Sequence, residues 1–488
     1  MSHWPRTKSQ ENFSRDDGHN TTGKRGSDLL EPLTEFESAS DDLLLLAIGD
    51  VHLGTRPSSL PDDLDECGVD PRTLTPEAAL RSAVGLAIAR GVDAVLFAGD
   101  VVESSNARFE ALRPLEAAVA QLLDAGIRVL GVAGNHDVEA LPRLADMIEG
   151  FELIGRGGRW ETALLEKDGR PAAEILGWSF PERQVRTSPV ADLVRNPIPS
   201  HTAAIPRLGL LHGDLDASGG VYAPFTTAQL REAGLDAWLL GHFHKPSLRA
   251  DGADGPRGYL GSLVGLDPGE QGGHGPWLVR VGRDGVVAAQ HLQVAPLRWE
   301  LVDCKIAQDD DPDAVGDRVI NEAARFARAL QEQGPVSDVL GVRIRLTGQT
   351  HHYEALQRAI RDGQWRHTNR HVGETLVFVE KVIDGLALAH DLAELSRGDT
   401  PLAILARKLL VLEHPGDDRN ALLEAARAHT QALARDSRWS ALADERDAVD
   451  PLSDDVLVDR LIRAGTAALS ELDAQLQEQR DAADGAGQ

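Results

Sequence analysis

Short apolar runs alternate with helical patterns along the first part of the chain. Six runs of four to seven residues have the length and the flanking glycines that are typical of buried strands: residues 43–48, 94–98, 127–133, 173–178, 208–211 and 237–240. Between the first two runs, Thr75 and Pro76 predict an N-cap followed by proline at the first helical position, and Gly91 ends that helix. Alternating strands and helices predict a layered α/β domain over residues 43–300.

The pattern changes on either side of this domain. Residues 1–42 are polar, mixed in charge and without periodicity, so we expect them to be disordered. Residues 301–385 contain one helical pattern and two strand patterns and predict a small α+β domain. Residues 386–488 are rich in alanine, leucine and charged residues, which predicts a helical C-terminal region.

Composition narrows the class of protein. The chain has 488 residues, of which 42% are hydrophobic, enough to bury a substantial core. Cys67 and Cys304 provide no disulfide framework and no CxxC pair, which favours a reducing compartment. The sequence shows neither an apolar signal region at the N-terminus nor a run of about 18 apolar residues, so we expect a cytoplasmic protein without a membrane span.

The formal net charge of −27 limits the partners of this chain. Such a surface repels polyanions at long range. A function on nucleic acid therefore requires a local basic patch, a metal site, or a partner that supplies cations.

Five of the six predicted strands end in residues that can bind a metal ion. These residues are Asp50 and His52 after the first, Asp100 after the second, Asn135, His136 and Asp137 after the third, His212 after the fifth, and His242 and His244 after the sixth. Because ligands bind at the carboxyl edge of open α/β sheets, we expect these side chains to converge.

Each of these motifs alone has an ordinary structural explanation. An aspartate such as Asp50 is often a turn or cap residue, and a lone histidine such as His212 is more often part of a core. Chance would have to place such residues at five strand ends at once, so a metal centre is the better explanation. Carboxylate, amide oxygen and imidazole suit manganese, iron or zinc better than calcium. Two such ions can polarise a phosphoryl oxygen and lower the pKa of a bridging water.

The five motifs, in this order, resemble those of the calcineurin-like metallophosphoesterase superfamily. The motifs are D-x-H, G-D, G-N-H-D, a lone histidine and G-H-x-H. Within that superfamily the chain is similar to the bacterial DNA repair nuclease subunits SbcD and YhaO, because "YAPF" at residues 222–225 precedes "GHFH" and a glycine-rich segment follows at residues 258–275. The resemblance covers residues 43–385. It implies a layered β-sandwich flanked by helices, a small α+β capping domain and a helical C-terminal region.

The resemblance also implies a role for each site residue. One metal ion would be held by Asp50, His52 and His244, and the other by Asn135, His212 and His242, with Asp100 bridging the two. His136 would lie near the leaving oxygen, with Asp137 orienting its ring. Manganese is the first expectation for both ions, with magnesium, iron or zinc as alternatives. One departure stands out, because Val102 and Glu103 follow Asp100 where these nucleases commonly have an aromatic and then an acidic residue or histidine.

Three functions follow from these observations. The first is a metal-dependent DNA exonuclease or endonuclease in DNA repair, working with an SbcC-like coiled-coil ATPase and capable of forming a homodimer; the capping domain would face DNA and residues 386–488 would dock the ATPase. The second is a small-molecule metallophosphoesterase acting on nucleotides or diphosphate-linked substrates, which the acidic surface favours. The third, a scaffold that has lost catalysis, is disfavoured because the full set of expected ligands is present.

Overall fold

The computed structural model describes residues 42–103, 108–200, 205–217, 219–249, 255–282, 287–334, 336–434 and 452–485. Of the N-terminal segment predicted to be disordered, residues 1–41 lie outside these ranges. The chain divides into two compact units. The first comprises residues 1–56, 72–264 and 273–295, and the second comprises residues 57–71, 265–272 and 296–488.

The strands of the first unit form two sheets. They are β1 (Leu43–Ile48), β2 (Ala94–Phe97), β3 (Arg128–Gly131), β4 (Phe151–Leu153), β5 (Glu161–Lys167), β6 (Arg170–Trp178), β7 (Arg207–His212), β8 (Ala237–Gly241), β9 (Arg257–Tyr259), β10 (Trp277–Val281) and β11 (Val287–His291). One sheet has the order β11-β10-β1-β2-β3-β4, in which β1 to β4 are parallel. The other has the order β5-β6-β7-β8-β9, in which β6 to β9 are parallel.

The two sheets share one apolar core. Leu45 from β1 and Leu96 from β2 belong to the same buried cluster as Leu208 from β7 and Leu239 from β8. All four side chains are fully buried. The first unit is therefore a β-sandwich, held together chiefly by the removal of aliphatic surface from water.

Helices flank the sandwich. They are α1 (Pro76–Arg90), α2 (Arg108–Asp124), α3 (Leu141–Met147), α4 (Pro189–Arg195) and α5 (Thr227–Glu232). The ends of α1 are those that the sequence predicts. The Thr75 side chain accepts a hydrogen bond from the backbone N–H of Ala78, and Gly91 ends the helix with φ of 61°, which glycine adopts at little cost.

The second unit combines a sheet with helices. Its elements are β12 (Leu297–Lys305), α6 (Val315–Gln331), β13 (Val339–Thr350), α7 (Tyr353–Arg361), β14 (Asn369–Val372), β15 (Thr375–Leu388), α8 (Leu392–Leu395), α9 (Pro401–Glu413), α10 (Asp417–Ala434) and α11 (Asp454–Gly485). The sheet order is β12-β13-β15-β14. Val319 of α6 and Leu356 of α7 pack with Ile344 of β13 in its core. Leu409 of α9 and Leu469 of α11 form a separate helical cluster.

The predicted fold class is confirmed. The chain has layered sheets flanked by helices, a further sheet packed with helices after residue 296, and a helical C-terminal region. Within the part of the chain that the structure describes, no helix is both long enough and apolar enough to cross a bilayer.

Candidate metal centre

Parallel strands bring the five motifs to one edge of the sandwich. Asp50 follows β1, Asp100 follows β2, Asn135 follows β3, His212 is the last residue of β7, and His242 follows β8. Three of the positions have backbone φ in the left-handed region, at 53° for His52, 49° for Asp100 and 110° for His242. Non-glycine residues adopt this region at a cost, and such strain concentrates at functional sites.

Four side chains define what we call site B: Asp100, Asn135, His212 and His242. Nε2 of His212 lies 3.0 Å from Oδ1 of Asn135, 3.2 Å from Nδ1 of His242 and 3.3 Å from Oδ2 of Asp100. Asp100, Asn135 and His212 are buried. Four potential ligand atoms therefore surround one small volume.

The hydrogen bonds outside site B fix which ring nitrogens carry protons. Nδ1 of His212 lies 3.1 Å from the carbonyl oxygen of Ala98, which can only accept, so this nitrogen donates. Nε2 of His242 lies 3.0 Å from Oδ1 of Asp214 and donates to that carboxylate. In the neutral rings, the two nitrogens that face each other are then both lone-pair acceptors. Two acceptors at 3.2 Å, beside a carboxylate, repel each other unless a proton or a metal ion lies between them.

The pKa values express the same demand for a cation. Burial alone would lower the pKa of His212, but the nearby charges of Asp100, Asp50 and Asp137 raise it to about 9. Burial alone would raise the pKa of Asp100, but the imidazoles of His212, His52 and His136 hold it well below its usual range. A positive charge among these groups, carried by a proton or by a metal ion, accounts for both directions of shift.

Asp50, His52 and His244 define a second cluster, which we call site A. Nε2 of His52 lies 3.1 Å from Nε2 of His244, and Nε2 of His244 lies 3.9 Å from Oδ1 of Asp50. Both carboxylate oxygens of Asp50 also accept from the backbone N–H of His242, at 3.1 Å. The donor set, one carboxylate and two imidazoles, is one that manganese, iron or zinc accepts.

Asp100 connects the two sites electrostatically. Burial lowers the pKa of His52 in site A, but the hydrogen bond to Glu103 and then the charge of Asp100 raise it. Asp100 also lies against His212 in site B. This position agrees with the predicted bridging role. The structure thus brings together all seven residues that the sequence predicts as metal ligands, and ligation itself stays a prediction.

His136 lies at the exposed side of the cluster. Its Nδ1 is 2.9 Å from Oε2 of Glu103, and the same oxygen lies 3.4 Å from Nδ1 of His52. The side chain of His136 is 47% exposed, whereas that of Glu103 is 14% exposed. Glu103 therefore orients the His136 ring and leaves the other ring nitrogen available to a substrate.

This arrangement corrects the role predicted for Asp137. Its two carboxylate oxygens accept from the backbone N–H groups of Val101 and Gly134, both at 2.7 Å. Burial and the neighbouring charge of Asp100 raise the pKa of Asp137 to about 7. Asp137 holds the loops after β2 and β3 together, because both of its oxygens are occupied by backbone donors, and Glu103 takes the place at the His136 ring.

Two further residues complete the centre and were not predicted. Asp214 contacts the outer nitrogen of His242, and the Tyr222 ring lies 5.2 Å from the His242 ring. Asp214 stands two positions after His212 in the sequence, and Tyr222 opens the "YAPF" motif. Both signals were visible, but only the fold shows that they meet at His242.

Comparison with known proteins gives two family matches. Residues 43–246 match the calcineurin-like phosphoesterase family, and residues 299–387 match the middle domain of metallophosphoesterase YhaO. The predicted resemblance is confirmed. Both matches fall on regions that the sequence motifs and patterns singled out.

Two curated relatives are similar to this chain. An uncharacterized metallophosphoesterase YhaO from Bacillus subtilis (strain 168) is 30% identical over 229 residues, covering 46% of this chain and 53% of the relative. The DNA double-strand break repair protein Mre11 from Aeropyrum pernix is 27% identical over 227 residues, covering 45% of this chain and 53% of the relative. The chain thus spans about half the length of the curated relatives it matches.

Solved structures add only a weak likeness. A dimetal phosphatase from Danio rerio is 14% identical, covers 51% of this chain and 98% of its own, and superposes with a TM-score of 0.30. A protein from Thermus thermophilus is 12% identical, covers 51% of this chain and 99% of its own, and also has a TM-score of 0.30. Similarity at this level carries no weight for function.

Proposed function

We propose that the chain is a dinuclear metal-dependent phosphodiesterase that cleaves DNA. The match of residues 43–246 to the calcineurin-like phosphoesterase family supports the phosphodiesterase part. The observation that carries the metal-dependent part is site B. In this site, one volume is surrounded by two imidazole nitrogens, an amide oxygen and a carboxylate. In the neutral rings, each imidazole proton lies on the outer nitrogen, which is hydrogen-bonded to an acceptor outside the site. Such a set of bare donors suits a divalent cation.

The residues present fit a pair of such ions. Asp50, His52 and His244 would hold one, Asn135, His212 and His242 the other, and Asp100 would face both. When bound, two ions of this kind neutralise charge on a phosphate and generate a hydroxide at neutral pH. Manganese is the ion that we propose, and the donor set also accommodates magnesium, iron or zinc.

The remaining residues act on the leaving group and on position. His136 is exposed at the centre and is held through Nδ1 by Glu103. Its second nitrogen can donate a proton to the leaving oxygen of a cleaved phosphodiester or stabilise the charge there. Asp137 fixes the backbone that carries His136, through its bonds to Val101 and Gly134.

The DNA part of the proposal draws on the relatives and on the second unit. One relative is named for DNA double-strand break repair, and residues 299–387 match a domain of YhaO. A chain with net charge −27 repels DNA at long range, so we further propose a partner that supplies cations, an ATPase of the SbcC-like coiled-coil kind. The α+β domain would face DNA, and α9 to α11 would dock this partner.

A nuclease assay tests the proposal. Labelled single-stranded and double-stranded linear DNA would be incubated with the purified chain and Mn²⁺, with and without an SbcC-like ATPase. We expect weak cleavage alone, a clear gain with the ATPase, and loss of cleavage in His136→Ala. DNA that stays intact under all metal conditions, with and without the ATPase, would contradict the nuclease assignment.

A small-molecule phosphodiesterase is the second candidate. The observation in its favour is the net charge of −27, which penalises a polyanionic substrate far more than a small one. Comparing kcat/KM for bis(p-nitrophenyl) phosphate, cyclic nucleotides and linear DNA separates the two candidates. A higher value for a nucleotide than for DNA, with the ATPase present, would favour this second function.

A further inference from the structure

The side chain of Asp214 lies behind His242, on the side away from site B. Its Oδ1 is 3.0 Å from Nε2 of His242. We propose that Asp214 is a positioning residue that fixes the tautomer and orientation of His242 and thereby sets the affinity of site B for its metal ion. The inference rests on the proposed metal centre and goes beyond it, because it assigns control of one site to a residue outside the predicted ligand set.

Asp214 is held on both of its oxygens. While Oδ1 faces His242, Oδ2 accepts from the backbone N–H of Tyr222 at 3.1 Å. The side chain of Asp214 is 16% exposed. Little freedom is left to the carboxylate, so its direction is set before any metal ion binds.

The surrounding loop is braced at the backbone as well. Asp214 donates from its N–H to the carbonyl of Tyr222 at 2.8 Å and accepts from the N–H of Phe225 at 2.9 Å. The Tyr259 hydroxyl donates to the carbonyl of Gly213 at 2.9 Å and accepts from the N–H of Leu215 at 2.7 Å, one residue on each side of Asp214. The "YAPF" motif thus has a physical role, since its backbone and the Tyr222 ring support the Asp214–His242 pair.

Tautomer choice is the means by which Asp214 would act. A neutral imidazole carries one proton, and a carboxylate at Nε2 keeps that proton on Nε2. Nδ1 of His242 then presents its lone pair to the centre, 3.2 Å from Nε2 of His212. Carboxylate partners of metal-binding histidines act in this way, and their loss typically weakens metal binding about 10- to 100-fold.

In Asp214→Asn, an asparagine of the same shape reverses this tautomer preference of His242. Its amide oxygen can still accept from the N–H of Tyr222, and its NH₂ group then faces Nε2 of His242. A donor at Nε2 moves the imidazole proton to Nδ1, where it points into site B and removes the lone pair that a metal ion needs.

Manganese titration of the full chain by calorimetry tests the inference. We expect two Mn²⁺ ions per wild-type chain, and in Asp214→Asn one ion bound as before with the second weakened at least about 10-fold. Asp216→Asn is the matched control, because it removes the same charge from the same loop while Asp216 accepts from the N–H and hydroxyl of Thr227. We expect this control to bind two ions normally.

Electron paramagnetic resonance gives a readout that general destabilisation does not move. Two adjacent Mn²⁺ ions couple magnetically, so wild type and Asp216→Asn should show the spectrum of a coupled pair and Asp214→Asn that of isolated ions. In a His242→Gln background, Asp214→Asn should have no further effect on metal affinity, because Asp214 would act only through His242. Asp214→Ser has a smaller side chain that cannot place a carboxylate at Nε2, so it should show the same loss of Mn²⁺ affinity.

The possible failures are distinct. Two ions bound with wild-type affinity in Asp214→Asn and Asp214→Ser would overturn the inference and leave the metal centre intact. A loss of affinity that persists in the His242→Gln background would also overturn it. A wild-type chain that binds no pair of ions would instead overturn the proposed function.

Discussion

Three histidines of the centre share one arrangement: one ring nitrogen faces the cluster and the other is held by an acceptor outside it. The outer partners are the carbonyl of Ala98 for His212, Asp214 for His242 and Glu103 for His52. Each partner keeps a proton on the outer nitrogen, so each inner nitrogen can bind a cation. We therefore expect the metal affinity of the centre to depend on these outer partners as well as on the predicted ligands.

Glu103 allows a prediction at the scale of one residue. Glu103→Gln removes the charge that orients both His136 and His52. We expect kcat for bis(p-nitrophenyl) phosphate to fall about 10- to 100-fold with a smaller change in KM, because a positioned acid typically contributes 10²- to 10⁴-fold and part of that would remain. Steady-state kinetics at saturating Mn²⁺ measure this.

Glu116 provides the control for Glu103. It lies on α2, is 48% exposed and pairs with Arg113. Glu116→Gln should leave kcat unchanged. Equal rates for wild type and Glu103→Gln would show that Glu103 does not orient His136.

The sequence was sufficient to predict which side chains meet at the edge of the sandwich, and insufficient to predict the residues that hold them. Asp50, His212 and their companions stand in short motifs at strand ends, where residue type and spacing carry the chemistry. Glu103 and Asp214 become important only because β2, β7 and β8 bring them against His136 and His242. The predicted role of Asp137 was wrong for the same reason, since the N–H of Val101, distant in sequence, occupies one of its oxygens.

At the scale of the elements, glycines allow the strand ends to approach each other. A Cβ at Gly134 would lie 2.2 Å from Oδ1 of Asp100 and 2.8 Å from its backbone nitrogen. Gly134→Ala must therefore displace Asp100. We expect Mn²⁺ affinity to fall at least about 10-fold, because a ligand is displaced, and calorimetry would measure it.

Gly85 is the matched control for Gly134. It lies inside α1, and a Cβ there would meet no atom within 4 Å. Gly85→Ala should leave Mn²⁺ binding unchanged and stabilise the chain by about 0.5–1 kcal/mol, since alanine favours a helix interior. Unchanged metal binding in both variants would contradict the crowding argument.

His291 gives β11 a dependence on pH. Its ring stacks on Trp277 with 4.6 Å between centroids, and burial together with His274 lowers its pKa to about 4. A histidine whose pKa is depressed in the folded state stabilises the fold above the unfolded pKa of about 6.5 and loses that contribution as pH falls toward 4. His291→Phe keeps a stacked ring and removes the titration.

Thermal unfolding at two pH values measures this effect. Between pH 7 and pH 5, wild type should lose about 1–2 kcal/mol more stability than His291→Phe. The other titrating groups are common to both proteins and cancel in the comparison. Parallel shifts of Tm in the two proteins would show that His291 does not contribute.

Two of the strands that the sequence did not predict, β5 and β9, have weak local patterns. The run at residues 43–48 becomes β1 over the same residues, because six consecutive apolar positions leave little choice. In contrast, β9 has only three residues, and Leu165 is the only buried residue among the seven of β5. Their strand geometry comes from pairing with β8 and β6, which a local pattern does not reveal.

At the scale of the whole molecule, the net charge of −27 sets how DNA approaches. Salt screens charges over about 10 Å at 0.1 M. Raising the salt concentration should therefore weaken the repulsion between this chain and DNA. Without a partner, we expect kcat/KM for linear DNA to rise between about 10 and 100 mM salt, while that for bis(p-nitrophenyl) phosphate changes little. A steep fall with salt for DNA would instead indicate a dominant basic patch.

Crystals of the full chain soaked in Mn²⁺ and measured at the manganese absorption edge test the central claim most directly. The claim is that two divalent ions bind at the edge of the sandwich. We predict two anomalous peaks about 3.5–4 Å apart, one contacting Asp50, His52 and His244 and the other Asn135, His212 and His242, with Asp100 touching both. The absence of anomalous density between these side chains would contradict it.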